Sequence, residues 1–155
     1  MRRLLFFVIL TPIALFLFSS CDGSGNLVVD GSNSTVAQLV GPTWKLVALH
    51  DDSGDRRSLN EGETYTIRFE PGEALGGTAD CNSYAASYNA EDGGHLDVNS
   101  IGSTRAYCGE ESHDRAYIEG IRAAKEYEAS SDRLRIGFER YGVLIFERTE
   151  AENKK

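Results

Sequence analysis

The sequence predicts a mainly β domain in which one antiparallel sheet curls on itself into a barrel or half-barrel, with one amphipathic helix. Two observations carry this prediction. Short segments that alternate polar and apolar residues recur along the chain and are separated by glycine-containing turns. One later segment, 112–125, instead places its apolar residues at the period of an α-helix.

The N-terminus has the features of an export signal. A positive segment, 1–3, precedes an apolar run over 4–18, and two serines separate that run from Cys21. A positive start, a short apolar run and small residues before a cleavage point are typical of such signals, and the run is short for a bilayer-spanning helix. We therefore expect a signal peptide at 1–20 and a mature chain outside the cytoplasm.

The residues before Cys21, Leu-Phe-Ser-Ser at 17–20, resemble the lipobox of bacterial lipoproteins. In that class the cysteine thiol is acylated, for example with palmitate, and becomes the new N-terminus. Each buried methylene of an acyl chain contributes roughly 0.8 kcal/mol, so two or three chains anchor a protein stably. The resemblance implies an envelope lipoprotein held to the inner or outer membrane through Cys21. An ordinary signal peptide or an uncleaved anchor are the alternatives.

Cys81 and Cys108 remain as an even pair, which an oxidising compartment favours as a disulfide. They are 27 positions apart, and closing such a loop stabilises a fold by roughly 3 to 4 kcal/mol in the chain-entropy model. Two free thiols or half of a metal site are the alternatives. Neither cysteine has Cys-x-x-Cys spacing and no histidine lies within four residues of Cys81, so we predict a disulfide and no metal or other cofactor.

Composition limits the partners. Without residues 1–20 the chain has 135 residues, enough for one core, and its 14 Lys and Arg face 24 Asp and Glu, a net charge of −10. Such acidity argues against nucleic acid and against a basic patch on anionic lipid. We expect a monomer with a flexible tether at 21–39, a domain at 40–149 and a loose charged tail at 150–155.

The strands are predicted from period-two alternation and turn residues. Trp44 shares one face of the first strand with Leu46 and Ala48 and is expected to be a core anchor, with ligand stacking as the alternative. Gly76 and Gly77 inside a strand indicate a bulge or a close approach of two backbones. The predicted strands are 43–49, 65–69, 75–79, 84–88, 95–98, 101–106, 127–130, 134–138 and 143–148.

The one predicted helix covers 112–125. Tyr117, Ile121 and Ala124 recur at i, i+4 and i+7 and form its apolar face. Ser112 is the predicted N-cap, and Asp114 lies where the positive end of the helix dipole favours a carboxylate.

Taken together, the chain resembles the META domain or HslJ-like envelope proteins over about 40–149. Asp80 and Ala86 stand where that family usually has glycine, and a methionine common before the second cysteine is missing. The marks that carry the resemblance are Trp44-Lys45-Leu46, Tyr65–Phe69, Cys81-Asn82, Tyr88, Thr104-Arg105-x-x-Cys108, Tyr117, Ile121, Leu134-x-Ile136 and Leu144-x-Phe146-x-Arg148.

The resemblance implies a lipocalin-like barrel with a helix. It also implies an association with heat shock, antibiotic tolerance, secretion or motility, and no established enzymatic activity. We expect a non-catalytic envelope protein that supports stress response or assembly by contact with another envelope protein. The alternative is a carrier or inhibitor that holds a small ligand or a protein segment in the barrel mouth.

Catalytic and metal sites find little support in the sequence. His50, His95 and His113 fall in or beside turns and the helix start, and no Gly-x-Ser-x-Gly motif occurs. The acidic segment 110–114 could bind a divalent cation, but carboxylates at a helix start are also explained by the dipole. The aspartates of the polar loop 50–62 lack the spacing of an EF-hand. A hydrolase is the weakest alternative.

Overall fold

The structure is a computed structural model that describes residues 35–138 and 142–149. The predicted signal peptide, Cys21 and the charged tail 150–155 lie outside the described residues. None of the helices within the described ranges is long and apolar enough to span a bilayer. The elements are α1 Thr35–Leu39, β1 Thr43–His50, β2 Arg56–Arg57, β3 Thr66–Glu70, β4 Ala74–Ala79, β5 Asn82–Ala90, β6 Leu96–Ser103, α2 Asp114–Arg122, β7 Ala124–Ala129, β8 Arg133–Phe138 and β9 Gly142–Arg148.

The strands form one antiparallel sheet that nearly closes into a barrel, which confirms the predicted fold class. Their order is β6-β5-β4-β3-β1-β9-β8-β7, with β2 paired to β1. The two ends of the sheet meet where His95 bridges Glu126 and the Tyr127 amide donates to the Gly94 carbonyl at 2.7 Å. Closure of this kind hides strand edges that would otherwise pair with other chains.

Side chains fill the interior of the barrel. The large aromatic residues of β1, β3 and β9, namely Trp44, Phe69 and Phe146, have no exposed surface. Helix α2 links β6 to β7 and adds Tyr117 and Ile121, which are equally buried. Burying an aromatic side chain stabilises a fold by roughly 1.5 to 3 kcal/mol, so this cluster is a large part of the driving force.

Alternation in the sequence identified the inward faces correctly. Tyr65, Ile67 and Phe69 are buried in and beside β3, and Leu134, Ile136 and Phe138 are buried in β8. Strand β1 departs from strict alternation because its register with β9 shifts between Leu46 and Ala48. Leu49 is therefore buried next to Ala48, as expected where a bulge inserts one residue.

The glycine pair of β4 marks a close approach of two backbones. A Cβ added at Gly77 would overlap the main-chain carbonyl of Thr66 on the neighbouring strand. Only glycine leaves room for that carbonyl, which also accepts hydrogen bonds from buried tyrosines described below.

Helix α2 is shorter than the sequence predicted. It begins at Asp114 and ends at Arg122, and His113 is its N-cap residue without a side-chain cap. The predicted N-cap Ser112 is wrong, because His113 occupies that position. The Ser112 hydroxyl donates to the Asp80 carboxylate at 2.7 Å. The helix ends early because Ala124, predicted to belong to it, is buried in β7.

The described structure includes a helix just before the predicted domain start at residue 40. Residues 35–39, assigned from the sequence to the tether, form α1. Leu39 is fully buried and its carbonyl accepts the Trp44 indole N–H at 3.1 Å. Two predicted strands, 95–98 and 101–106, are one strand, β6, and the polar loop 50–62 contains the short strand β2.

Candidate functional site

The predicted disulfide joins two separate parts of the sheet. Cys81 lies in the turn between β4 and β5, and Cys108 lies in the connection between β6 and α2, with 5.5 Å between their Cα atoms. Cys81 is exposed and Cys108 is half-buried. The bond therefore fixes the chain that leaves β6 against the start of β5.

Asn82, next to the disulfide, is buried and holds the same connection through its carboxamide. Its Oδ1 accepts hydrogen bonds from the Thr104 hydroxyl at 2.9 Å and from the Ala106 amide at 2.8 Å. Its Nδ2 lies 3.0 Å from the Ala106 carbonyl and 3.2 Å from both Cys108 Sγ and Asp114 Oδ2. One side chain thus links β5, the loop 104–108 and the first residue of α2.

Asp80 completes this end of the barrel. Its φ of 56° lies in the left-handed region, which aspartate tolerates better than most residues other than glycine. Its carboxylate accepts the Ser112 hydroxyl, whose oxygen in turn accepts the Asp114 amide at 3.3 Å. Asp80 therefore adopts the backbone conformation of the turn and adds a contact to the helix start.

Three buried tyrosines lie beneath this loop. The hydroxyls of Tyr84 and Tyr117 are 2.9 Å apart, and both lie within 3.0 Å of the Thr66 carbonyl. The Tyr65 ring packs on Tyr117 with 5.1 Å between ring centroids. Burial raises the pKa of all three hydroxyls, to about 12 for Tyr65, so they stay protonated at neutral pH.

Glu63 and His113 are in hydrogen-bond contact beside the helix start, with 3.3 Å between the carboxylate and the imidazole Nδ1. Burial alone would raise the pKa of Glu63. Two hydrogen bonds donated by Asn60 and the contact with His113 outweigh burial, so the pKa of Glu63 lies below its ordinary value. The His113 amide donates to the Tyr65 hydroxyl at 2.9 Å, which ties this pair to the tyrosines.

An open groove of about 890 Å³ lies on the outside of the barrel, between the segment 103–110 and helix α2. We call it the disulfide groove, because Cys108 and Asn82 are part of its wall. Tyr107 lines the groove with 80 % of its surface exposed. The charged side chains along it are Arg57, Arg105, Arg115, Arg122, Glu110, Asp114 and Glu119.

The motif residues singled out in the sequence divide into two groups. Asn82, Thr104 and Arg105 come together at the disulfide groove. Trp44 and Tyr88 belong to the core, where the Tyr88 ring packs edge-on against Phe69 at 4.9 Å. Cys21 lies outside the described residues.

Three histidines have three unrelated surroundings. His50 Nδ1 lies 3.4 Å from the Gly54 carbonyl, His95 pairs with Asp97 at 2.8 Å, and His113 pairs with Glu63. Within 35–138 and 142–149 no group of three His, Cys, Asp or Glu side chains is arranged to hold a metal ion. The acidic segment 110–114 therefore gives no metal cluster in the part of the chain that the structure describes.

Sequence reasoning singled out Arg105 but missed Arg115 and Arg122, the two groove arginines of α2. Arg115 and Arg122 are seven positions apart, so they share one side of α2, and this spacing was visible on the polar face of the predicted helix. Arg105 comes from a different segment, and only the tertiary fold brings it to the same groove.

These features define a class of protein: a small antiparallel domain with a nearly closed sheet, a filled interior and a disulfide-bonded loop beside one helix. The profile of the META domain matches residues 37–151. The match covers most of the chain and all strands of the sheet. The chain belongs to the META domain family.

Solved structures show the same fold. An NMR structure of a protein from Burkholderia xenovorans has a TM-score of 0.65 and 21 % identity, over 76 % of this chain and 89 % of that one. The crystal structure of a DUF4847 family protein from Bacteroides vulgatus ATCC 8482 has a TM-score of 0.53 and 14 % identity, over 74 % and 96 % of the two chains. No curated protein matches the chain.

We predict that Asn82→Asp lowers the free energy of unfolding by about 3 kcal/mol, because it removes the donor to Ala106 and brings a second carboxylate against Asp114. Urea unfolding of the purified protein at neutral pH measures the change. Asn99→Asp, at an exposed position of β6, is the matched control and should stay within about 0.5 kcal/mol of wild type. Equal losses in both variants would contradict the role given to Asn82.

We predict that Glu63→Gln destabilises the protein at neutral pH and that its deficit shrinks on acidification. The folded-state pKa of Glu63 is depressed, so its contribution is present above the ordinary value of 4.5 and is lost as the pH falls through the lower, folded-state pKa. Thermal unfolding of both proteins between neutral and acidic pH measures the difference. Glu61→Gln, an exposed change in the same loop, should follow the wild-type curve; a deficit independent of pH would rule out this linkage.

Proposed function

We propose that this META domain protein is a non-catalytic, lipid-anchored protein of the bacterial cell envelope that acts by contact with another envelope component. One observation supports this most: the interior of the barrel is occupied by the protein's own side chains. Trp44, Phe69, Tyr88, Phe138 and Phe146 are at most 8 % exposed. The surface available for recognition is therefore the outside, which carries the disulfide groove.

The alternative role of carrier requires an open apolar chamber at the barrel mouth. Burial of the five aromatic residues, together with Tyr117 and Ile121 of α2, favours the contact role over the carrier role. A partner that binds the outside needs no space within the sheet.

The engagement of the reactive side chains supports a non-catalytic role. Both Cys81 and Cys108 are in the disulfide, so neither is a nucleophile. His113 is paired with Glu63, and the buried tyrosines remain protonated at neutral pH. An envelope role in stress response, antibiotic tolerance or assembly is what the family resemblance adds to the proposal.

We predict that Cys21→Ala abolishes incorporation of labelled palmitate and moves the protein from the membrane fraction to the soluble fraction. The thiol of Cys21 is the proposed acylation site, and the acyl chains supply the apolar area that holds the chain to the bilayer. Ser20→Ala retains a small residue before the cysteine and should be lipidated like wild type. Palmitate that stays on the Cys21→Ala protein would contradict the lipid anchor.

The contact role is tested by photo-crosslinking in living cells of the native host. A photoreactive residue replaces Tyr107 in the disulfide groove or, in separate strains, the partly exposed Val47 of β1 or the exposed Glu128 of β7. We expect a discrete protein adduct in the membrane fraction from at least one of these surface positions. The absence of an adduct from every surface position, together with a small molecule that copurifies with the barrel, would overturn the contact role in favour of a carrier.

A further inference from the structure

The segment 104–107 has the hydrogen-bonding pattern of a strand edge. The Thr104 amide donates to the Ser83 carbonyl at 3.0 Å, and the Ala106 amide and carbonyl bond to the Asn82 carboxamide. The main-chain groups of the alternate residues, Arg105 and Tyr107, have no hydrogen-bond partner among the described residues. Such alternation between satisfied and free groups is that of an antiparallel strand with one side unpaired.

The position of this segment in the sheet agrees with that pattern. Strand β6, which ends at Ser103 immediately before it, is the last strand of the sheet and pairs along its length only with β5. Its other side faces the disulfide groove at the 103–107 end. A chain lying in the groove would therefore meet free N–H and C=O groups on alternate residues.

Three guanidinium groups line the same groove without an ion-pair partner among the described residues. They belong to Arg105, Arg115 and Arg122. The fourth arginine of the groove, Arg57, is instead paired with Asp51 at 3.0 Å. The fork of a guanidinium group matches the two oxygens of a carboxylate.

The spacing of these charges fits an extended chain. Arg115 and Arg122 are two turns apart on α2, about 10 Å along the helix axis. In an extended peptide, residues two and four positions apart lie on the same face, about 7 and about 13 Å from each other. Glutamates at these spacings bracket the distance between Arg115 and Arg122, and the lengths of the glutamate and arginine side chains cover the remainder while the backbone pairs with the free edge.

We propose that the disulfide groove binds an extended protein segment that bears carboxylates and adds as a strand along residues 105–107. Its carboxylates pair with Arg105, Arg115 and Arg122. This inference rests on the proposed contact role, because it gives that role a site and a class of partner.

The mixed charge of the groove favours a protein segment over a phosphate polymer. Glu110, Asp114 and Glu119 lie along the same groove, and a polymer charged at every unit would meet them. A peptide places carboxylates only at some positions and offers amide groups at others. The formal charge of −8 on the whole chain acts over a Debye length of about 8 Å at physiological salt, so local pairing decides recognition.

The disulfide and Asn82 prepare the edge before a partner arrives. Cys108 holds one end of the segment to Cys81, and Asn82 holds its middle at Ala106. Because the edge is already ordered, binding carries a smaller entropic cost.

Binding of synthetic peptides to the full chain in detergent micelles tests the proposal. The probes are a fluorescein-labelled peptide of alternating threonine and glutamate, its threonine-glutamine counterpart, and two forms N-methylated on every threonine or on every glutamate. We expect the glutamate peptide to bind at least about tenfold more tightly than the glutamine peptide, because only the glutamate carboxylates can pair with the groove arginines. N-methylation of one residue type should weaken binding by a similar factor, because those amides face the edge.

Paired variants locate the binding. Arg115→Gln with Arg122→Gln should weaken the glutamate peptide about tenfold or more. Arg56→Gln with Arg133→Gln, at exposed positions outside the groove, should bind like wild type; circular dichroism and thermal unfolding check that both variants fold. Equal binding of the glutamate and glutamine peptides, equal losses in the two arginine pairs, or no effect of either methylation would overturn the proposal. If inorganic polyphosphate binds and the glutamate peptide does not, the partner of the groove is a phosphate polymer and the proposal of a protein segment is overturned.

The in-cell crosslinks separate this proposal from the contact role. Adducts from Val47 or Glu128 but none from Tyr107 would overturn the groove assignment and leave the contact role standing. An adduct at Tyr107 that disappears in the Arg115→Gln, Arg122→Gln strain would support both.

Discussion

The structure at the groove depends on two neighbouring residues, Cys81 and Asn82, that hold the same loop in two ways. The disulfide removes conformational freedom from the unfolded chain, which is worth roughly 3 to 4 kcal/mol for a separation of 27 residues. The carboxamide of Asn82 acts in the folded state and takes the place of a missing strand, since it satisfies both main-chain groups of Ala106. Without it, the amide and carbonyl of Ala106 would lose the hydrogen-bond partners that hold the loop 104–108 against β5.

The interior of the barrel and the disulfide groove use polar groups in different ways. Inside, tyrosine hydroxyls bond to one another and to the Thr66 carbonyl, so aromatic rings fill the space without an unsatisfied polar atom among the described residues. Outside, the strand edge and the arginines lie where the sheet ends and the helix begins. The aromatic residues that could line a ligand cavity are thus used in core packing, and the strand edge and the arginines lie on the surface.

Sequence patterns correctly predicted the features that depend on neighbouring residues in the chain. Alternation at 65–69 and 134–138 found buried faces, because a strand with one buried side must alternate. The disulfide was predicted from the oxidising compartment that the sequence led us to expect, and from the even number of cysteines that remain after Cys21. Helix α1 was missed because its stability comes from distant contacts, such as that of Thr35 with Asp92, and not from its five residues. The arginines of the groove come from 105 and from α2, so a linear sequence does not show that they meet.

Helix α1 has a fixed place relative to the disulfide groove. It is fastened to Asp92, in the turn after β5, whereas the disulfide and Asn82 lie at the start of β5. Strand β5 has nine residues, about 30 Å of extended chain. Thr35, where α1 begins, therefore lies at the pole of the domain opposite the groove. A molecule held at Thr35 would keep the disulfide groove at its far end, sterically open to other molecules.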